Sequence, residues 1–207
     1  MDFKVFLSSD ALSDSPFFQS AIARFDAENA RDPNTQLVDG SLQPRELVHA
    51  KRLTHWVLEL APDASETLRL AARCQHICRW MIPRNSYPMT RPGYLRWRSD
   101  LREFHAKTAG NILREAGYPD DAIAKVQELN LKKNFPRDLE SRVLEDALCL
   151  VFLEFQFSGL ADRVDEPKLV NAVQKTWAKM TPAGRERALA MPFGAKEKAL
   201  LQRALSL

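Results

Sequence analysis

Apolar residues along this chain recur at spacings of three and four rather than two, and the pattern predicts helices nearly throughout. Residues 15–30 make a first helix, with Ser15 as N-cap and Pro16 in the first position. The stretch from Arg31 to Thr35 ends it, because the residue before Pro33 is biased out of helix. A second helix runs from about Pro44 to Leu60, and a third from about Ser65 to Met81, with Pro62 and Asp63 breaking the chain between them. Residues 82–98 hold three prolines and a glycine and read as a long loop. Helices follow at about 99–116, 119–133, 138–158, 167–179 and 182–206, the last broken near Pro192-Phe193-Gly194. Seven glycines in 207 residues, and no persistent alternation, leave no sign of a sheet. The expected fold is all-α: a single-domain helical bundle over 1–207, with a C-terminal helical appendage at 167–207.

Within these stripes some polar residues stand where a hydrophobe would pack better. His49 shares a helix face with Leu53, Trp56 and Leu60, and His105 shares one with Leu101, Thr108 and Ile112. Asp146 interrupts the stripe of Leu139, Val143, Leu150, Leu153 and Phe157. Gln75 and His76 lie beside Ala71, Ala72 and Cys78. A buried carboxylate costs several kcal/mol unless it is paired, hydrogen-bonded or bound to metal. Histidines and an aspartate converging from separate helices are how helical bundles build metal sites. Cys74, Cys78 and Cys149 read as small buried hydrophobes, and His55 as a surface residue or one standing behind the site residues.

The net charge of +3 conceals an uneven distribution. Residues 73–107 carry eight basic and two acidic side chains, a net +6, so the remainder carries −3. That segment also holds two of the four histidines and two of the four tryptophans, which points to an anionic ligand. Arg79, Arg84, Arg96 and Arg98 would clamp it, since the guanidinium fork suits phosphate and carboxylate. Trp80, Tyr87, Tyr94 and Trp97 would stack on a base or ring. Basic and aromatic residues between Lys175 and Met180 would extend this surface or pack as a lid, while Trp177 reads as core. No apolar run approaches the roughly 18 residues a membrane helix needs, no leader-like pattern opens the chain, and the cysteines are sparse. A cytoplasmic protein without membrane contact is the expectation.

The order of these residues resembles the HD-domain metal-dependent phosphohydrolases over about 44–157. The first histidine of that pattern falls in Val48-His49-Ala50-Lys51. The paired position falls in Ala71-Ala72-Arg73-Cys74-Gln75-His76-Ile77-Cys78, and the final aspartate is Asp146, six residues after Glu140. Two departures stand out: the doublet reads Gln75-His76 or, shifted by one, His76-Ile77, so that one ligand of the pattern is missing, and a later histidine position holds Lys132 or Lys133. The whole chain resembles more closely a helical family described as a domain of unknown function, number 4202. The segments Gln75 to Pro88, Gly93 to Arg98, Leu144 to Glu154 and Lys175 to Met180 carry that likeness, which implies a helical fold and no particular activity.

Two functions follow as expectations. In the first, His49, His76 and Asp146 hold a divalent metal (Mn, Fe, Zn or Mg), with His105 and Glu145 as catalytic groups. The metal would activate water against a phosphate-containing small molecule or nucleotide. Arg79, Trp80, Arg84, Tyr87, Tyr94, Arg96, Trp97, Arg98, Lys132 and Lys133 would then bind the substrate. In the second, the same cations and aromatics make a metal-free nucleotide- or RNA-binding module with a degenerate site.

Overall fold

The computed structural model describes residues 14–161 and 164–205. The elements run α1 (Phe18–Asn29), β1 (Thr35–Val38), β2 (Ser41–Pro44), α2 (Arg45–Leu60), α3 (Glu66–Cys74), α4 (Arg91–Glu115) and α5 (Asp120–Leu131). They continue with α6 (Leu139–Phe155), α7 (Phe157–Ala161), α8 (Glu166–Trp177), α9 (Pro182–Leu189) and α10 (Ala195–Leu205). The protein is mostly helical, but the all-helical expectation needs one correction. β1 and β2 pair antiparallel, with Leu37 opposite Leu42, around the two-residue turn Asp39-Gly40. Both turn residues have positive φ, 48° and 77°, the backbone that a tight hairpin of this hand demands and that glycine adopts without strain. No helix among the described residues is long and apolar enough to cross a membrane.

Helix boundaries moved where side chains found partners outside their own helix. Ser15 does not cap α1: its amide and hydroxyl both donate to Glu66 at 2.6 and 2.7 Å, and α1 starts three residues later. Ser65 does cap α3, accepting from the Leu68 amide. That helix stops at Cys74, and Cys78 adopts a left-handed conformation with φ 53°. Gln75 and His76 are therefore presented from a turn, and Arg79 from the short 3-10 helix Arg79–Met81 that follows it. Residues 82–98 are not one long loop either, because α4 begins at Arg91 with Thr90 accepting from the Gly93 amide and Pro92 in the first turn. The last expected helix divides into α9 and α10; residue 206 lies outside the described residues.

Two apolar cores form. Phe25, Leu53, Val57, Leu68, Leu113, Leu129, Leu144 and Val151 belong to the first. Leu150, Leu153, Phe157, Leu169, Val173, Met180 and Leu201 belong to the second. α6 contributes to both, and Trp56 and Leu60 of α2 pack against both. The three cysteines are buried free thiols, and burial pushes Cys74 and Cys149 up to about 12.

Asp146 fastens α9 to α6. Its carboxylate accepts from the Thr181 amide at 2.9 Å and from the Thr181 hydroxyl, while that hydroxyl accepts from the Gly184 amide. A Cβ added at Gly184 would stand 2.6 Å from the Asp146 carboxyl carbon, so α9 docks here because residue 184 has no side chain. Asp146→Ala is expected to cost about 2–3 kcal/mol in urea unfolding. Gly184→Ala is expected to cost about 1–3 kcal/mol through the clash. The double variant should lose less than the two losses combined by at least about 1 kcal/mol, because the first change removes what the second strikes. Strict additivity would exclude this contact as the origin.

Candidate functional site

Three histidines from three segments meet beside α6. His49 of α2 and His76 stack, with ring centroids 4.2 Å apart and planes 14° from parallel. The His105 ring of α4 lies 5.8 Å from that of His76. Glu46 stands one turn before His49 on α2 and is buried. Its Oε2 is 3.5 Å from His76 Nδ1, and its Oε1 lies 3.7 Å from Arg45 and 4.0 Å from Arg79. Asp32 accepts the Glu46 amide at 3.0 Å and so ties the start of α2 to the segment before the hairpin.

Hydrogen bonds fix two of the tautomers. His105 Nδ1 is 2.7 Å from the Ile77 carbonyl, which only accepts, so Nδ1 carries the hydrogen and Nε2 is bare. Arg79 only donates, so His76 Nε2, 3.4 Å from its Nη1, accepts, and the ring hydrogen sits on Nδ1, 3.5 Å from the Glu46 carboxylate. Burial holds His49 and His76 well below the ordinary histidine range, reinforced by His76 beside the former and Arg79 beside the latter. Burial likewise lowers His105 to about 4. All three rings are neutral at neutral pH.

Two cavities of 490 and 450 Å³ share His49, His76, Arg79, Phe152 and Gln156 in their walls. The first also takes in Arg45, Arg52 and Phe155, with the Arg52 guanidinium 3.6 Å above the Phe155 ring. The second is walled by Arg79, Arg98, Arg102, Lys132, Lys175 and Lys179, and Glu145 is its one acidic residue among the described residues. Glu145 is already engaged, by Lys132 and by Lys179 at 3.3 Å. Its burial works to raise the carboxyl, but Lys132 and Lys179 prevail and hold it below the usual carboxylate range. Burial lowers the Lys132 amine, which Glu145 counters.

These donors do not fit a metal ion as placed. An imidazole lone pair lies in the ring plane, and the nearly parallel planes of His49 and His76 offer no common point for one ion. Among the described residues no group of three or more His, Cys, Asp or Glu side chains is arranged to hold a metal. Asp146 faces Thr181 rather than the histidines, and the carboxylate that does face them is Glu46.

The other expected residues divide sharply. Arg79, Tyr94, Trp97, Arg98, Lys132, His105 and Glu145 line the second cavity. Arg84 donates its guanidinium to the carbonyls of Tyr87, Pro88 and Thr90 and so closes its own loop. Tyr87 donates to Asp100 at 2.7 Å, Trp80 packs against the first core, and Arg96 is exposed beside Asp100. Lys133 is exposed outside both cavities. Trp97 is buried, with its indole nitrogen donating to the Ile82 carbonyl. Glu145 is an ionised ion-pair partner rather than a proton donor. Glu46 and Phe152 are lining residues that the sequence did not single out, and Arg102 stood out only as one cation of the basic segment 73–107; Glu46 was detectable from its place three residues before His49 on one helix face.

The chain is thus a mostly helical protein whose cation-walled cavity is backed by neutral histidines. The chain belongs to the domain of unknown function family DUF4202, whose family model matches residues 19–201. No curated protein and no solved structure matches it.

The neutral histidines make stability fall with acid. Their folded values lie below the unfolded value of about 6.5, so the unfolded chain takes up these protons first. The stability is complete above about pH 6.5 and is lost as pH falls towards the folded values. In urea unfolding between pH 6.5 and 5, His105→Leu should lose less stability than the unaltered protein. The difference is up to about 2 kcal/mol, from about 1.4 kcal/mol per proton and pH unit. Equal losses would exclude His105 as a source.

Proposed function

We propose that this protein binds a phosphate-bearing small molecule in the cavity between α4, α6 and α8, without a metal. The observation that carries the reading is the imbalance of charge on the cavity wall: six cations face one carboxylate, which is itself spent on two lysines. Among the described residues Arg98, Arg102 and Lys175 have no ion-pair partner. Cations kept together in a concave site repel one another, and an anion that accepts hydrogen bonds from several of them relieves that repulsion. The size of the cavity, 450 Å³, suits a small molecule better than a nucleic-acid strand. Arginine forks would take phosphate oxygens in pairs and lysines as point charges. Tyr94 and Trp97 stand at the same wall and would flank the non-phosphate part.

A metal-dependent phosphohydrolase of HD-like architecture is the second reading. It draws on three histidines and Glu46 gathered on one wall, and it requires His49 or His76 to leave the stack. Calorimetric titration with Mn²⁺ and Zn²⁺ separates the two readings. Uptake that His49→Ala and His76→Ala both abolish would establish the metal site, and no uptake would remove the hydrolase reading.

For the first reading, titration calorimetry with inorganic phosphate and pyrophosphate should show binding that weakens as salt rises. Arg98→Ala and Lys175→Ala should each weaken it about ten-fold, the loss of one charge-assisted hydrogen bond. Affinity that is indifferent to both substitutions would overturn the assignment of this cavity.

A further inference from the structure

The 490 Å³ cavity beside the hairpin differs in chemistry from the cation-walled one. Arg45, Glu46 and Arg52 of α2, Phe155 of α6 and Leu160 of α7 border it and not its neighbour. The charged residues found only in this wall are thus two arginines and one glutamate, a net +1 among the described residues. Arg79, which the two cavities share, is the remaining cation, so this wall holds arginines and no lysine.

Arg52 is half-buried, and its guanidinium lies 3.6 Å above the Phe155 ring. A guanidinium stacked on a ring face keeps the N–H groups of its edge for other acceptors. Among the described residues Arg52 has no ion-pair partner. The charges of Glu154 and Asp39 reach it only at a distance, and Glu154 accepts instead from the Trp56 indole at 2.6 Å. Arg45 stands two turns before Arg52 on the same face of α2, and its 3.7 Å approach to Glu46 is too long for a hydrogen bond. Beneath these forks the floor is apolar. Phe155 is 39 % exposed and belongs to neither core, and the half-buried Phe152 and Leu160 continue the surface. Covering such rings with an apolar group is favourable.

Charge decides the class of ligand. A phosphate monoester is chiefly a dianion above about pH 6 and suits the six cations of the other cavity. A carboxylate is a monoanion above about pH 4, matches a net +1, and presents two oxygens to one fork. We propose that the cavity beside the hairpin is a second ligand site, for an amphipathic carboxylate. The edge of Arg52 takes the carboxylate, Arg45 adds its field, and the apolar body of the ligand lies on Phe155, Phe152 and Leu160. The proposal does not depend on phosphate binding in the other cavity.

Titration calorimetry at pH 7.5 compares 3-phenylpropanoate and hexanoate with two controls. One is 3-phenylpropanamide, which keeps the ring and lacks the charge; the other is acetate, which keeps the charge and lacks the body. At least one of the long carboxylates is expected to bind about ten-fold more tightly than both controls. Preference for phenylpropanoate marks an aromatic body and preference for hexanoate an aliphatic one; either supports the proposal. Arg52→Gln should weaken the preferred carboxylate about ten-fold, the loss of charge-assisted hydrogen bonds. Arg52→Lys should recover only part of that loss, because a point charge lacks the fork. Phe155→Ala should weaken binding several-fold. Neither side chain is in an apolar core, and an unchanged midpoint of urea unfolding verifies that each variant is folded. Equal affinity for the amide or for acetate overturns the proposal, as does affinity unchanged in Arg52→Gln or in Phe155→Ala. Failure of both long carboxylates to bind overturns it as well.

Discussion

α6 is apolar on two flanks at once, and the positions of the nearby charges follow from that. Leu144, Ala147 and Val151 belong to the first core, while Cys149, Leu150 and Leu153 belong to the second. With both flanks packed, the helix has little freedom to rotate about its axis. Consecutive residues on a helix differ by about 100° in direction, so Glu145 and Asp146 must diverge. Glu145 meets Lys132 and Lys179 at the cavity, and Asp146 meets Thr181 at the start of α9. One rotation of this helix thus decides which carboxylate serves the cavity and which serves the fold.

The same packing explains why the histidines carry no charge. A charged imidazole in this position would add to Arg79, Arg98 and Lys132, all of which lower the His76 value after burial has done so. Among the described residues Glu46 is the one carboxylate paired with the stack, and Arg45 and Arg79 already approach it. Neutral rings are compatible with a cationic wall, and charged ones would oppose it. Histidine here acts as a flat, polar packing element whose nitrogens can accept as well as donate.

Much of the fold was legible because it depends on local periodicity. The stripes of α2, α5, α6 and α8 appear at the expected places within a few residues. The hairpin was missed although Asp39-Gly40 is a strong turn signal, because strands of four residues are too short for alternation to register. In the site, the spacing of His49 and His105 was legible, since both sit on regular helices. His76 sits on a turn after α3 and Arg79 on the 3-10 helix beyond it, where a left-handed Cys78 has broken helical phase and the wheel has no meaning. The fates of Arg84 and Tyr87 were not legible, because Arg84 turns to the carbonyls of its own loop and Tyr87 to Asp100 of α4. The fate of Asp146 depended on Thr181 and Gly184, 35 and 38 positions further along the chain, a contact that no local pattern encodes.

Glu145 and its two lysines have a mechanical consequence. Lys132 closes α5, against the first core, and Lys179 follows α8, which packs in the second. The carboxylate between them is a rivet through the seam where the two packed bodies meet, holding like charges at close quarters before any ligand arrives. An anion seated among Arg98, Arg102 and Lys175 would drive a second rivet through the same seam. The two halves of the protein would then be joined more firmly when the cavity is filled than when it is empty, so that occupancy is felt in α8 and α9 as well as at the histidines.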